Sequence, residues 1–422
     1  MTDALAELQA QFDPTQPLPA RDPRYVAWAP RLGLNDTTAE ARRIVSRAVA
    51  PEVVLLTGQR GTGKSSDLNR LAAELREVPG GRWFVTQMSA ASDDGDVSAM
   101  NGALLTFRIA RALVADLRGG GLDYRGKFDR YVERVRSRLA GVEVDWELPL
   151  GLGLSLAFRD APAERERIRR ALEAEVPTLL DVVNAEVLPA ARRALAEKGR
   201  AGIVVLVDDL DHVDDAGDDV ARRFFLRDAP TLRALGCTVV YTVPIGLAFG
   251  PHYQELRNLY GHILEVGYVP VRTRDGAVDE NAVSVITEIV EHRLDCAGVG
   301  GDALGDAGWP RRLALLSGGS LRSLLRVVTT ALSLTDTLPL AGVLGTSIRR
   351  DADNMARFLD NSSLALLAAV AQSHERPGGD EAELERWADL VNAGCVLAYR
   401  DRDQSTWYDR HPLLGDYEQA LA

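Results

Sequence analysis

The segment Gly58–Ser65 constrains this chain more than any other, because it reads G-Q-R-G-T-G-K-S directly after a buried-strand pattern. Residues Glu52–Thr57 are mainly β-branched and aliphatic, which predicts a strand in the interior of a parallel sheet. After Lys64, apolar residues recur at helical spacing, so a helix begins inside the segment. Glycines let the backbone wrap closely around a phosphate group, and free N–H groups at a helix start point towards it. The order of strand, glycine loop and helix therefore predicts a phosphate-binding loop.

The use of lysine supports this interpretation. The chain has 49 Lys and Arg residues together, of which only three are lysine, and one of those three is Lys64. Lysine is a compact charge on a thin stem, whereas arginine is a wide planar fork. The segment matches G-x-x-x-x-G-K-[ST], the P-loop of nucleotide-binding proteins. The sequence has no Asn/Thr-Lys-x-Asp motif for reading guanine, so we predict ATP as the ligand. The predicted ATP-binding residues of the loop are Gly58, Gln59, Arg60, Gly61, Thr62, Gly63, Lys64, Ser65 and Ser66.

A second apolar run delivers carboxylates to the same site. Ile203–Val207 leads directly into Asp208 and Asp209, and ligands of open α/β sheets bind at the carboxyl ends of the strands. We predict that Asp208 holds Mg²⁺ together with the hydroxyl of Ser65. Asp209 is the predicted catalytic residue that orients or deprotonates the attacking water. Glutamate is more usual at that place and is one methylene longer, which indicates slow turnover.

The acidic residues that follow receive a different interpretation. Asp211, Asp214 and Asp215 are predicted to form a solvated acidic turn rather than part of the site. The histidines and cysteines lack the spacing of metal ligands, so we expect no catalytic metal other than Mg²⁺.

Two further residues are candidate sensors of the nucleotide. Thr242 ends the strand pattern Thr238–Thr242 and could sense the γ-phosphate, although an ordinary core strand fits the pattern equally well. Arg322 follows Ser320, a favourable helix N-cap. Arginine is unfavourable at the positive end of a helix, and a bound polyphosphate would compensate for this. The alternative for Arg322 is an ordinary surface arginine.

The order of patterns along the chain predicts an α/β fold, in which a P-loop parallel sheet is followed by a helical lid and a winged-helix module. The C-terminal module is expected to carry a short hairpin at Cys395–Tyr399 and Thr406–Tyr408. The predicted divisions are a proline-punctuated lead-in (1–45), a P-loop ATPase core (46–275), the lid (276–340) and the winged-helix-like domain (345–422).

An alternating stripe interrupts the core between the two nucleotide elements. Apolar residues occupy every second position from Val142 to Phe158, and strict period two is typical of β structure. We therefore expect an inserted β-hairpin over about 142–158. It either covers the core of its own domain or forms a surface for self-association or a partner.

Composition limits the functions that remain. The chain has 422 residues, long enough for two or three domains, and a net charge of −12, which disfavours nonspecific binding to nucleic acid or membranes. Its three cysteines are widely spaced and odd in number, which is typical of a reducing compartment. With no signal-peptide pattern and no membrane-spanning run, we expect a cytoplasmic protein.

The motifs resemble those of AAA+ and STAND-type P-loop ATPases, and most closely a bacterial group related to the Orc1/Cdc6 and KAP lineages. The resemblance implies that ATP binds between the sheet domain and the lid, and that nucleotide state controls assembly. It also implies an arginine finger from a neighbouring subunit, for which Arg257 is the positional candidate. Its rivals are Arg222, Arg223 and Arg227. The matching stretches are Gly58–Ser65, Val204–Asp211, Tyr241–Pro244, Ser317–Arg322 and Trp407–Pro412.

Three functions fit these observations. The first is a slow ATPase that acts as a switch and binds partner proteins or further copies of itself, in a bacterial defence system (antiviral defence included) or a signalling system, as the resemblance implies. The second is a DNA-acting initiator or loader of the Orc1/Cdc6 kind, which the acidic charge disfavours. The third is a nucleotide-bound scaffold that never hydrolyses ATP.

Overall fold

The computed structural model describes residues 2–77, 82–91, 100–145, 153–154, 156–157, 162–216, 218–403 and 405–415. None of the helices in these ranges combines the length and the apolar character needed to cross a membrane. The strands are β1 (Val53–Gly58), β2 (Arg82–Ser89), β3 (Arg200–Asp208), β4 (Thr238–Thr242), β5 (His262–Val266), β6 (Val396–Arg400) and β7 (Thr406–Arg410).

The α-helices surround the strands and form most of the C-terminal half. They are α1 (Thr2–Gln11), α2 (Trp28–Arg31), α3 (Thr37–Arg47), α4 (Lys64–Glu77), α5 (Gly102–Gly119), α6 (Arg125–Arg138), α7 (Arg165–Asp181), α8 (Leu188–Glu197), α9 (Asp218–Arg222), α10 (Ala229–Leu232), α11 (Ile245–Phe249), α12 (Tyr253–Tyr260), α13 (Glu280–Cys296), α14 (Trp309–Ser317), α15 (Leu321–Leu332), α16 (Ala341–Ala356), α17 (Asn361–Ser373) and α18 (Glu381–Asn392). Short 3₁₀ helices cover Pro162–Glu164, Leu210–Ala216, Gly301–Leu304 and Pro412–Leu414, and π-helical turns cover Val182–Val187 and Arg223–Arg227.

The first five strands form one parallel sheet in the order β2-β3-β4-β1-β5. Strand β1 lies between β4 and β5, and its Val54 is paired with Val240 of β4 and His262 of β5. The loops that follow β1, β3 and β4 all leave from the carboxyl edge of the sheet, where α/β proteins bind their ligands. This arrangement confirms the predicted α/β fold with a parallel sheet.

Helices cover both faces of the sheet, and β3 shows why its sequence is apolar throughout. Val204 and Leu206 point into the cluster formed with α3 and α4. Ile203, Val205 and Val207 point into the opposite cluster, formed with α5 and α7. Because both faces of the strand are buried, all five side chains must be apolar.

The N-terminal helix α1 packs against helices of the region predicted to form the lid (276–340). Leu8 of α1 and Phe12, just after it, are fully buried in the same cluster as Ile286 of α13 and Val328 of α15. The N-terminal residues therefore fold against helices that lie almost three hundred positions further along the chain. This contact brings the lead-in to the edge of the sheet that carries the phosphate loop.

The C-terminal module shares a hydrophobic core with the sheet domain. The buried residues Trp387, Val396 and Tyr408 pack together with Ile245 and Phe249 of α11. The hairpin predicted at this end of the chain is present as β6 and β7, which pair antiparallel. The interpretation of this module as a winged helix stays a prediction.

The β-hairpin predicted for residues 142–158 is wrong where the structure describes that segment. Residues 142–145 form no strand, and residues 153, 154, 156 and 157 are helical, while 146–152, 155 and 158 lie outside the described residues. Leu154 (1% exposed) and Ala157 (8% exposed) are buried in the cluster that contains Phe107. Two residues three positions apart share one face of a helix, so burial against the domain core overrides the period-two pattern.

We predict that Leu154→Ala lowers the free energy of unfolding by ~2–5 kcal/mol, because it removes a buried side chain and leaves a cavity. Urea unfolding measures the loss of stability, and sedimentation velocity shows whether the association state is unchanged. The control is Leu364→Ala, whose side chain is 50% exposed and whose effect should stay within about 0.5 kcal/mol. Dissociation of an oligomer without loss of stability would contradict the prediction.

Candidate functional site

The loop between β1 and α4 has the backbone geometry that its glycines permit. Gly61 and Gly63 have φ angles of +88° and +96°, which residues with a Cβ atom rarely adopt. A Cβ atom on Gly61 would lie 2.2 Å from the Cβ of Arg322. Thr62 closes the turn by donating from Oγ1 to the carbonyl oxygen of Gln59 at 3.0 Å. The loop is therefore pressed directly against the first turn of α15.

The ammonium group of Lys64 is buried and has a partner for each of its three N–H donors. It donates to the carbonyl oxygens of Gly58 (2.7 Å) and Gln59 (3.2 Å). It also forms an ion pair of 2.9 Å with Oδ2 of Asp211. The interpretation of Asp211 as part of a solvated turn is therefore wrong. The missed signal was its position, since it follows β3 at the same sheet edge as the loop.

The two predicted metal ligands lie together. The hydroxyl of Ser65 lies near enough to the carboxylate of Asp208 to favour the ionised form of Asp208. The same carboxylate accepts a hydrogen bond from the backbone N–H of Asp209 at 2.8 Å. Asp209 has a φ of +63°, and its carboxylate accepts a hydrogen bond from Oγ of Ser89 in β2. Strained backbone of this kind is concentrated at functional sites, which supports a role for Asp209.

Asp208 and Asp211 respond to their surroundings in opposite ways. Burial, with the negative charge of Asp209, raises the pKa of Asp208 to about 6. Burial also pushes the pKa of Asp211 upward, but the charge and hydrogen bond of Lys64 outweigh that effect, so its pKa lies below the ordinary value. A cation beside Asp208 would remove the cost of its ionisation.

Oxygen ligands of this kind suit a hard divalent ion. Ser65 and Asp208 supply a hydroxyl and a carboxylate, the donor set that Mg²⁺ prefers in phosphate sites. In the described part of the chain, the potential ligand atoms of Asp209, Asp211 and His212 also lie within 4.8 Å of one another. Since Lys64 already pairs with Asp211, Asp208 is the better candidate for a metal ligand.

Thr242 lies one layer behind the acidic turn. It is fully buried, and its Oγ1 accepts a hydrogen bond from the backbone N–H of Leu210 at 3.0 Å. It does not line the cavity above Lys64. Any contact with a ligand would therefore pass through the turn that carries Asp208 and Asp209, and direct sensing by Thr242 stays a prediction.

A cavity of about 520 Å³ lies above the loop and is bounded by three parts of the chain. Five of its lining residues carry positive charge, four carry carboxylates, and several others are apolar. The cationic residues are Arg24, Arg60, Lys64, Arg293 and Arg322; the acidic ones are Asp67, Asp208, Asp209 and Asp211.

Arg322 contributes to this cavity from the lid. Ser320 caps α15 by accepting from the backbone N–H of Ser323, as predicted, which fixes the direction in which α15 leaves the loop. The Nε of Arg322 is buried without a hydrogen-bond partner, and burial lowers the pKa of the guanidinium. An anion is the partner that this arrangement lacks.

The lead-in also reaches the site, which sequence reasoning missed. Leu18 donates its backbone N–H to Oγ of Ser66 at 2.9 Å, and its carbonyl oxygen accepts from Asn69 at 2.8 Å. Tyr25 donates its hydroxyl to Asp67 at 2.8 Å. Ser66 is thus engaged by the lead-in. The sequence signal for this contact was the presence of two apolar residues, Leu18 and Val26, among prolines and polar residues. Both are buried in the structure.

Gln59 also differs from its predicted role, because its side chain points away from the cavity. The amide bonds to the backbone of the C-terminal module at Val391, Val396 and Ala398. Only its main chain belongs to the phosphate loop.

None of the four candidate finger arginines lines the cavity above Lys64. Arg257 is exposed on α12, and Arg222 contacts His252 at 3.2 Å. Arg223 and Arg227 line a separate cavity of about 270 Å³. The structure does not bring Arg257 to the site of its own chain, so its role towards a neighbouring subunit stays a prediction.

A glycine loop between strand and helix, with acidic residues at the end of β3, defines a P-loop nucleotide-binding protein. Residues 38–239 match the family described as "AAA ATPase domain". The chain therefore contains an AAA ATPase domain, and this domain includes both the phosphate loop and the acidic turn. The resemblance to AAA+ ATPases is confirmed. A search of the curated proteins gives no match.

Several solved structures align with most of the chain. A Walker-type ATPase of Pyrococcus abyssi is 12% identical, with a TM-score of 0.47 over 97% of this chain and 99% of its own. Cdc6p of Pyrobaculum aerophilum is 13% identical, with a TM-score of 0.38 over 98% and 96%. The Orc1 protein of Aeropyrum pernix, in a complex with DNA, is 14% identical, with a TM-score of 0.35 over 91% of each chain.

We predict that Asp208→Asn stabilises the protein at neutral pH in the presence of a metal chelator. The pKa of Asp208 is raised from 3.8 to about 6, so its stabilising contribution is complete below pH 3.8 and is lost as the pH rises through 6. Removing the charge at pH 7.5 should raise the free energy of unfolding by up to about 3 kcal/mol. Urea unfolding between pH 5.5 and 8 measures the gain, which should grow with pH.

The matched control is Asp211→Asn, for which the expected sign is opposite. Its pKa is lowered, so its ionised form stabilises the folded protein above the unfolded pKa, and this contribution is lost only as the pH falls through the folded value. The variant should therefore be less stable than the natural protein at pH 7.5. Equal effects of the two substitutions would contradict the assignment of their charges.

Proposed function

We propose that the protein is an ATP-dependent molecular switch that hydrolyses ATP slowly and couples its nucleotide state to the lid and the C-terminal module. One observation carries the proposal: a single cavity is lined by the phosphate loop, the acidic turn, the lid helices and the lead-in. A ligand in that cavity contacts the sheet domain and the lid at once. Its binding energy can therefore fix their relative position.

The distribution of charge supports ATP in one orientation. The triphosphate would lie at Lys64 and Arg322, where the loop amides and a buried guanidinium offer donors to anionic oxygens. The adenine would then lie towards the apolar residues Val26, Trp28 and Leu321 at the lead-in side of the cavity. These groups belong to the lead-in and the lid, so recognition of the base involves both.

We further propose that Mg²⁺ accompanies the nucleotide and is held by Ser65 and Asp208. The hydroxyl of Ser65 already lies beside the carboxylate of Asp208, and burial raises the pKa of that carboxyl group, so a bound cation would favour its ionised form. When bound, the ion would neutralise charge on the phosphate oxygens.

Asp209 is the proposed catalytic residue. Its carboxylate is fixed by Ser89 from the neighbouring strand, and it lines the cavity beside Lys64 and Asp208. From this position it can accept a proton from a water molecule or orient that water towards a phosphate group. The short side chain of aspartate leaves a longer distance to the water, which supports slow turnover.

The output of the switch is proposed to pass to another protein or to a second copy of the chain. The segment from Met355 onwards carries six arginines and twelve acidic residues, a balance that opposes binding to nucleic acid phosphates. Its helix α18 packs against α11 of the sheet domain, which leaves less of it free to enter a groove of DNA. Arg257 on the outer surface of α12 is the proposed contact to a neighbouring nucleotide site. A defence or signalling setting remains part of the proposal.

We predict that Lys64→Ala abolishes both ATP binding and hydrolysis, because it removes the buried charge beneath the phosphate loop. Calorimetric titration measures binding, and phosphate release measures turnover. The control is Lys198→Ala, an exposed lysine that contacts the carbonyl oxygen of Gly120 and should leave both properties unchanged. Binding without any turnover in the natural protein would favour the scaffold. Salt-sensitive binding of duplex DNA at physiological ionic strength would favour the loader.

We predict that Asp209→Asn separates binding from turnover. The amide cannot accept a proton from water, so hydrolysis should fall by ~10²–10⁴-fold, the usual contribution of a general base. ATP affinity should change little, since the phosphate contacts of the loop remain. Phosphate release and calorimetric titration on the same sample check both statements, and full activity in the variant would exclude Asp209 as the base.

A further inference from the structure

The side chain of Gln59 joins the phosphate loop to the C-terminal module. It is 2% exposed. Its Nε2 donates to the carbonyl oxygens of Val391 (2.7 Å) and Val396 (2.6 Å), and its Oε1 accepts from the backbone N–H of Ala398 (2.7 Å). Both amide N–H groups have partners. All three partners are backbone groups of the C-terminal module, one in the last turn of α18 and two in β6.

The main chain of the same residue belongs to the nucleotide site. The carbonyl oxygen of Gln59 accepts hydrogen bonds from Thr62 and from Nζ of Lys64. A movement of the Gln59 backbone therefore displaces both the acceptor of the buried ammonium group and the side chain that bonds to the C-terminal module. One residue thus has its side chain in one module and its main chain in the other.

Strand β6 makes further contacts that link it to the phosphate loop and to the lid. Tyr268 donates its hydroxyl to the carbonyl oxygen of Arg60 at 2.9 Å, and its backbone N–H to Ala398 at 3.4 Å. Tyr399 of β6 donates to the carbonyl oxygen of Gly318 at 2.6 Å, in the turn before α15. A Cβ atom on Gly318 would lie 2.5 Å from Leu397. β6 is therefore packed against both walls of the nucleotide cavity.

We propose that Gln59 is the positioning residue through which docking of β6 controls the shape of the phosphate loop. The inference rests on the proposed switch and names the contact that couples the nucleotide site to the C-terminal module. Because coupling between two sites is reciprocal, a docked β6 strengthens ATP binding and bound ATP strengthens the docking of β6. The effect expected is in the range of ordinary coupling between sites, about 5- to 150-fold.

The experiment measures hydrogen exchange at the Ala398 amide and the rest of β6, with and without a saturating non-hydrolysable ATP analogue. In the natural protein the analogue should slow exchange by at least about 5-fold. Gln59→Ala should remove this protection and weaken binding of the analogue. Gln59→Met, which keeps the volume of the side chain and loses its hydrogen bonds, should do the same if the alanine variant folds poorly.

Two controls separate coupling from simple stability. Gln87→Ala removes a partly buried hydrogen bond to Asn69 (2.7 Å) within the sheet domain. In this variant the analogue should still slow hydrogen exchange in β6. Tyr399→Phe removes only the hydrogen bond from the hydroxyl to the lid. When Gln59→Ala is added to this variant, it should still weaken binding of the analogue. A residue that merely stabilises the fold would lower the melting temperature and leave the effect of the analogue intact.

The outcomes distinguish the two proposals. If β6 is protected by the analogue equally in the natural protein and in both Gln59 variants, Gln59 is not the coupling residue, although the switch stands. If the analogue protects β6 in neither the natural protein nor any variant, the proposed coupling of nucleotide state to the C-terminal module fails as well.

Discussion

The buried ammonium group of Lys64 is the interaction on which the site depends. A buried cation is strongly unfavourable unless it is paired and hydrogen-bonded, and its partners here come from two carbonyl groups of the loop and from Asp211. Those partners meet only because β1 and β3 end at the same edge of the sheet, with β4 between them. The order of the strands is thus the condition for placing this charge, and the fold and the site have one physical origin.

The sequence predicted the parts of the site that depend on short-range patterns. The P-loop and the acidic turn each follow a buried strand, and parallel strands place their ends together, so Lys64, Ser65 and Asp208 could be located without a structure. The contacts of the lead-in and of the Gln59 side chain could not be predicted from the sequence, because their partners are distant in the chain and ordinary in composition. The β-hairpin predicted from the alternating stripe near Leu154 was wrong for a related reason. Burial against the core decides between strand and helix more strongly than periodicity does.

Three parts of the chain meet around one loop. The lid contributes Arg322 directly above Gly61, the lead-in bonds to Ser66 through Leu18, and the C-terminal module holds Gln59. Each contact uses a different residue of a segment only nine residues long. A change in the loop therefore reaches all three parts at once, which is a structural basis for a protein whose nucleotide and whose partners influence each other.

The long reach of Gln59 has a consequence for the synthesis of the protein. Its partners lie 332 to 339 residues further along the chain. At about 5–20 residues per second, a ribosome needs on the order of 20–70 s to reach them. During that interval the nascent sheet domain has its phosphate loop but lacks the strand against which that loop packs. The nucleotide site thus reaches its final form late in translation, when β6 has emerged and can dock.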